Sequence, residues 1–569
     1  MAAAERLYRQ ALAQAPGHPS ILSNLADTVL RQGRRDDAVA IYEQAIAADP
    51  GLPEARNNLG SLLNDMGAPE KAVPHLEQAC RLRPNWPEAL CNLAAAYGRL
   101  GRTRDAAAAS AEAVRLAPGY ARAHYNLGTA LAHLGQHEQA FGAFSSVLSL
   151  EPGNTSALNG LGVSALALGD PVTAAKALED AARSSPQTAE IHNNLGNALK
   201  ALDRLDEAEA RCRHALDLMP EYVDALNSLG STLTAQGRHD EAERAFARAA
   251  ELRPDYAEAR ANLGMTLLRR GEYGPGWAEY EHRWQANNLP FPRFDLPLWR
   301  GEDAPGKTLV LYAEQGFGDT IQFIRFAAAI ADRGLTVIAE VPAPLAGLAR
   351  SVKGVDRVVA VGDPVPKADF QLPMMSAPHV LDDTLPDGRP YMTVAPDLCE
   401  RWRPRLAGLP GVKVGLVWAG NSALGLSKGG LVDRQRSLRP ELLAPLLAVP
   451  GCSLVSLQLG QSIPGVADWT AELTDFSQTA ALIMGLDLVI AVDTSVAHLA
   501  GALGKPVWVL SRFDGCWRWG ISGDASPWYG SLKLYRQTRR GRWDEVVARV
   551  RDDLEVFTNR FAARPGIPT

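Results

Sequence analysis

Eight prolines, Pro16, Pro50, Pro84, Pro118, Pro152, Pro186, Pro220 and Pro254, recur at a constant spacing of 34 residues. A single globular core imposes no such period. A stack of like helix-turn-helix units does, because each unit buries its apolar face against the next. Each proline falls where the second helix of a unit should end, since its ring and missing N–H stop a helix there. From Ser20 the units run 20–53, 54–87, 88–121, 122–155, 156–189, 190–223 and 224–257, and an eighth begins at Glu258. Residues 1–16 match the second half of a unit, with Tyr8 in register with Tyr42 and Ala11 with Ala45.

Each unit carries a fixed leucine (Leu25, Leu59, Leu93, Leu127, Leu161, Leu195, Leu229, Leu263), followed directly by alanine or glycine. Small residues at such positions let paired helices approach while the leucine fills the seam. Length and small-residue positions together resemble the tetratricopeptide repeat. The residue before the leucine is asparagine at Asn24, Asn58, Asn92, Asn126, Asn194 and Asn262, interrupted by Gly160 and Ser228. Asparagine is a mediocre helix former, yet its amide both donates to and accepts from a peptide backbone. The series resembles the asparagine ladder of protein O-GlcNAc transferase. That resemblance implies that Asn58, Asn92, Asn126, Asn194 and Asn262 hold an acceptor polypeptide with exposed amides. The same asparagine also belongs to the ordinary repeat consensus.

A net charge of −6 argues against a protein built to grip nucleic acid or anionic lipid. No apolar run approaches the roughly 20 residues needed to span a bilayer. The start lacks the features of a signal peptide. Six scattered cysteines without a C-x-x-C pair fit reduced thiols, and the cytoplasm is the expected compartment.

The repeats lead into the segment 276–284, where Trp277, Tyr280, Glu281 and Trp284 share one helical face and should dock the array on the next domain. Residues 287–306, rich in proline, read as an extended linker. Beyond Lys307 short apolar strands alternate with helices: Thr308–Tyr312, Val337–Val341 and 358–361, then Val412–Trp418, Ser453–Leu457, Leu486–Val492 and Val507–Leu510. A helix is expected from Gly318 to Arg333. Such alternation means parallel sheets, and two series mean two Rossmann-like lobes, 307–400 and 401–569. Facing lobes of this kind are the architecture of GT-B glycosyltransferases. The expected fold class is an all-α tetratricopeptide-repeat superhelix followed by an α/β GT-B domain.

Three loops carry the chemistry. The first, after a strand, is Glu314-Gln315-Gly316-Phe317-Gly318-Asp319. Gly316 and Gly318 permit a tight turn, and Asp319 enters the first turn of a helix, where a carboxylate is also a natural cap. The second is Asp493-Thr494-Ser495-Val496-Ala497-His498, in which a strand gives way to a helix whose first-turn N–H groups form an anion site. His498 lies one turn on from Thr494, although a buried histidine of the core would fit the same position. The third runs from Ala419-Gly420-Asn421 to Arg436-Ser437, and Gln458 ends a neighbouring strand. Loops one and two resemble those of ADP-heptose:lipopolysaccharide heptosyltransferases. The resemblance implies Asp319 as general base and a nucleotide-sugar site at Gly316, Gly318, Gly420, Asn421, Arg436, Ser437, Gln458, Asp493, Thr494, Ser495 and His498, with Arg436 neutralising the leaving group. No D-x-D pair stands near these loops, so neither a metal nor a cofactor is expected.

The leading expectation is a protein O-glycosyltransferase acting on Ser or Thr hydroxyls. Bacterial relatives of this arrangement suggest flagellin or another surface protein as the acceptor. A lipopolysaccharide or glycan transferase and a non-catalytic peptide-binding scaffold remain open alternatives.

Overall fold

A computed structural model of the chain describes residues 1–287, 289, 291–382, 387–420, 433 and 435–562. The chain divides into two compact units, Met1–Tyr222 and Val223–Thr569. In the first unit the helices keep the proline period. Pro19–Leu30 pairs with Arg35–Ala48, Pro53–Asp65 with Pro69–Leu82, and Pro87–Arg99 with Thr103–Leu116. Each second helix stops two residues short of its proline. Between paired helices the backbone turns through a left-handed residue, a glycine from Gly33 to Gly169, and Asp203 takes the same conformation at φ 64°. Aspartate tolerates this region better than most side chains. The small residues act as expected: a Cβ on Gly60 would come within 2.5 Å of Leu76 Cγ. Helix Ala2–Gln14 packs on this array through Tyr8 and Leu12.

The last two repeats belong to the second unit. Helices Val223–Ala235, His239–Leu252, Ala257–Arg270 and Tyr273–Tyr280 share its body. Leu268, Trp277 and Tyr280 lie in one buried cluster with Phe323, Trp517 and Trp528, and the Trp277 ring sits edge-on to the Trp517 ring at 5.3 Å. The aromatic face therefore docks the repeats, but the expected continuous helix 276–284 breaks after Tyr280 and resumes as the turn Arg283–Ala286. The connection to the next element is extended without being free. Trp299 N donates to Gln371 O at 3.1 Å and Gln371 N to Pro297 O at 3.0 Å, adding a short strand-like edge.

Two all-parallel sheets complete the second unit. The first has the order β3-β2-β1-β4, with β1 Thr308–Tyr312, β2 Thr336–Val341, β3 Arg357–Ala360 and β4 Phe370–Pro373. The second has the order β6-β5-β7-β8-β9, with β5 Val412–Val417, β6 Cys452–Ser456, β7 Leu488–Val492, β8 Val507–Ser511 and β9 Leu532–Arg536. Both orders reverse direction once, beside β1 and beside β5, and ligands of doubly wound sheets bind at such switch points. The fold class is the expected one.

Several details differ from expectation. The expected helix 318–333 is two short helices, Phe317–Phe323 and Ala327–Ala331, joined by a 3₁₀ turn. Helix Pro396–Ala407 packs on helix Phe476–Met484, and Trp402 meets Trp469 at 6.1 Å. The second lobe thus begins before residue 401. No helix among the described residues is long and apolar enough to cross a membrane.

Candidate functional site

The loops after β1, β5, β6 and β7 open on one cleft of about 1170 Å³ between the two sheets. Gly316, Gly318, Asp319, Gly420, Arg436, Gln458, Asp493, Thr494, Ser495 and His498 line it together. Asn421 lies outside the described residues, and Ser437 sits just behind the wall. There its hydroxyl accepts the Gly420 amide at 3.0 Å and donates to Asp433 O. Gln458 is buried and structural at its amide oxygen, which accepts the Ala419 N–H at 2.9 Å and holds the end of β5 in place.

Helix Ser495–Ala502 begins at Thr494, whose hydroxyl turns back to Val492 O at 3.2 Å instead of capping. Its N-terminus therefore has no side-chain cap, and it opens on the cleft. Arg436 reaches the same point, donating from Nη1 to Asp493 O at 2.6 Å while pairing with Asp433. A positive helix end and a guanidinium converge there, an arrangement suited to an anion.

The first lobe approaches this helix closely. A Cβ on Gly318 would lie 2.9 Å from His498 Cδ2, so only glycine fits there. His498 is 5% exposed, stacks on Trp519 at 5.2 Å, and shares a 2.9 Å hydrogen bond between Nδ1 and the Tyr529 hydroxyl. Burial, with help from the Arg518, Arg436 and Arg325 charges, holds its basicity well below that of an ordinary histidine. It is a neutral wall of the site, which joins the two readings the sequence left open.

Asp319 enters helix Phe317–Phe323 and does cap it: Oδ2 accepts the Gly316 amide at 3.0 Å. Its other oxygen is paired with Arg518, a residue that sequence reasoning passed over. Arg518 is fixed in turn, by Nε to Gln322 Oε1 at 2.6 Å and by stacking on Trp517 at 4.4 Å. The repeats also contribute, since Met265, Arg269 and Tyr280 line the same cleft. The only sequence signal for these was the aromatic stripe that contains Tyr280.

The asparagine series behaves differently from the expectation of exposed, free amides. Asn92 is buried, and Asn58, Asn126, Asn194 and Asn262 are half-buried. Each spends its amide N–H on an earlier repeat: Asn58 on Asp27 Oδ1 (3.2 Å), Asn92 on Asn57 Oδ1 (2.9 Å), Asn126 on Cys91 O (3.1 Å), Asn194 on Asn159 Oδ1 (2.9 Å) and Asn262 on Asn227 Oδ1 (2.9 Å). A side chain between stacked helices finds a partner there before it finds solvent. Gly160 interrupts the series because the Phe144 ring fills the space: a Cβ would meet it at 2.5 Å.

Comparison with known proteins agrees with both halves. Tetratricopeptide repeat models match residues 1–62, 60–101, 91–156 and 187–255. The model described as glycosyltransferase family 9 (heptosyltransferase) matches residues 469–511, the stretch that holds Asp493, Thr494, Ser495 and His498. The chain is 28% identical over 326 residues to Protein FlbA of Caulobacter vibrioides, covering 50% of this chain and 52% of that protein. It therefore spans about half the length of this relative. Among solved structures, MamA is 27% identical, with 30% of this chain and 94% of MamA covered, at a TM-score of 0.28. A tetratricopeptide repeat protein from Parabacteroides merdae is 16% identical, covering 44% of this chain and 98% of that one, at a TM-score of 0.37. With repeats along the first half and a family 9 match across the uncapped helix, the chain is a tetratricopeptide-repeat protein fused to a heptosyltransferase-like glycosyltransferase domain.

Proposed function

We propose that this protein transfers a sugar from a nucleotide-sugar donor to a serine or threonine hydroxyl of a polypeptide held by its repeats. One observation carries the reading: Asp319 and the uncapped helix N-terminus, with Arg436 above it, face the same cleft from opposite lobes. The donor diphosphate sits on the first-turn amides of helix Ser495–Ala502 and on Arg436. Arginines and a helix end can then neutralise the departing phosphate with no metal required. Each Asp319 oxygen has one partner in the fold, which leaves lone pairs for an acceptor hydroxyl. As the acceptor hydroxyl oxygen bonds to the anomeric carbon and the bond to the diphosphate breaks, Asp319 takes the hydroxyl proton.

A polypeptide acceptor is favoured over lipid or glycan because the eighth repeat itself lines the cleft through Met265 and Arg269. Flagellin is the first candidate to try. Labelled UDP-, GDP-, ADP- and CMP-sugars supplied with co-expressed candidate acceptors test the reading. Label on protein supports it, label on lipid transfers the site to glycan assembly, and tight nucleotide binding without label leaves a scaffold.

A further inference from the structure

The loop that presents Asp319 is anchored from outside its own lobe. Three consecutive residues at the carboxyl end of β1 are each gripped by a side chain from the segment 280–293, where the repeats end. Arg293 Nη1 donates to Ala313 O at 3.3 Å, Arg283 forks onto Glu314, and the Tyr280 hydroxyl accepts from Gln315 Nε2 at 3.4 Å. The next residue, Gly316, donates to Asp319.

The grip of Arg283 is the strongest of the three. Its side chain is 1% exposed and that of Glu314 is 2% exposed. Nε and Nη2 reach the two Glu314 oxygens at 2.9 and 3.0 Å, Nη1 reaches Glu281 Oε1 at 2.6 Å, and Nη2 also reaches Ser376 Oγ at 2.7 Å. Glu314 accepts the Met375 amide at 2.8 Å, just past the end of β4. Burial works against the Arg283 charge, and the two glutamates overcome it, holding the guanidinium well above its ordinary range. A buried ion cluster is a poor way to gain stability, because apolar residues of similar size do as well or better. What it supplies here is direction: a planar fork fixes the ends of β1 and β4 relative to the last helical turn of the repeats.

We infer that Arg283 is a positioning residue for catalysis, holding the Glu314–Gly316 loop, and through it Asp319, in the geometry that the reaction needs. The inference rests on Asp319 being the carboxylate that meets the acceptor. A purely structural cluster predicts that removing the Arg283 and Glu314 charges together, with Glu281 left on Ser376, restores everything. A positioning role predicts that it restores the fold alone.

The test is the double variant Arg283→Met/Glu314→Gln in the full chain, which leaves no unpaired Arg283 or Glu314 charge and keeps an acceptor for Met375 N. Melting within a few degrees of the native protein is expected. Amide exchange across 316–323 should rise about ten-fold. Release of nucleotide from UDP-, GDP-, ADP- and CMP-sugars should fall by roughly ten-fold or more, the scale expected of an ångström-sized misplacement, with KM for the donor nearly unchanged. Native exchange and native turnover in the folded double variant overturn the inference. If the double variant does not fold, Arg283→Lys, which keeps the charge and loses the fork, takes its place: faster exchange and slower turnover support the inference, and native values of both overturn it. Asp319→Asn is run alongside: full activity there overturns the role of Asp319 and this inference with it. An inactive Asp319→Asn beside a full-speed double variant overturns the positioning role alone.

Discussion

Arg518 of the second lobe pairs with Asp319 of the first across the floor of the cleft, so the candidate base is held by a residue of the opposite lobe. The pair places a fixed positive charge beside the carboxylate and orients it from the opposite lobe.

Asp319→Ala should lower turnover by roughly 10²-fold or more while donor affinity, read by calorimetry, changes little. Asp319→Asn should be equally inactive but more stable to heat, since its amide oxygen can still accept the Gly316 N–H. It is not a silent replacement, because one end of its amide must face the Arg518 guanidinium. Normal activity in either variant removes Asp319 from the mechanism.

Ser495→Pro is a selective probe of the donor site. Ser495 is the first residue of its helix, where proline fits the backbone and removes only an N–H that the helix does not use. Donor binding should weaken by about ten-fold with the circular dichroism spectrum unchanged, the loss of one charge-assisted hydrogen bond being about 1.5 kcal/mol. Arg436→Met should weaken it as well. Native affinity in both would put the diphosphate elsewhere.

Replacing Asn126, Asn194 and Asn262 together with alanine should lower the melting temperature. Each loses an inter-repeat hydrogen bond of about 1 kcal/mol in partly buried surroundings, against a helix-propensity gain of some tenths. If these amides also contact acceptor, transfer to protein should fall further than donor hydrolysis does. Equal losses of the two activities would make the series a stacking device alone. An unchanged melting temperature would contradict the hydrogen bonds themselves.

Acid should destabilise the second unit through the half-buried His239 and the buried His498. Burial, reinforced by the Arg269 charge and opposed by Asp240 and Asp514, pushes His239 down to about 4, and His498 is held well below its usual value. The unfolded chain takes up these protons near pH 6.5 and the folded chain does not. Stability is therefore full above pH 6.5 and declines as the pH falls toward 4. His239→Gln should flatten part of that decline in melting scans at pH 7.5, 6 and 5, and an unchanged slope would reject the assignment.

What could be read in the sequence was whatever repeats or lies close along the chain. The proline period gives every repeat helix to within a few residues, and the strand-then-glycine pattern finds the cleft loops after β1 and β5. What escaped depends on distant partners. Arg518 gains its meaning from Asp319, a residue far back in the sequence, and nothing near the Trp517-Arg518-Trp519 run announces it. The asparagines were assigned to solvent because their partners sit 31 or 35 residues earlier, across a helix stack. β4, with Gln371 at its centre and Pro373 at its end, does not look like a buried strand. Its polar side chain is satisfied by the neighbouring extended segment, where Gln371 Nε2 donates to Phe294 O at 2.6 Å.

The division after Tyr222 bears on how such a protein can be cut and recombined. A break at the proline-rich segment looks natural in the sequence, yet it would strip Trp277 and Tyr280 from a shared core and leave Glu314 buried without Arg283. The compact unit that contains all of those contacts starts at Val223. Gene shuffling can then add or delete whole 34-residue modules upstream of that point while the cleft and its lining are inherited intact.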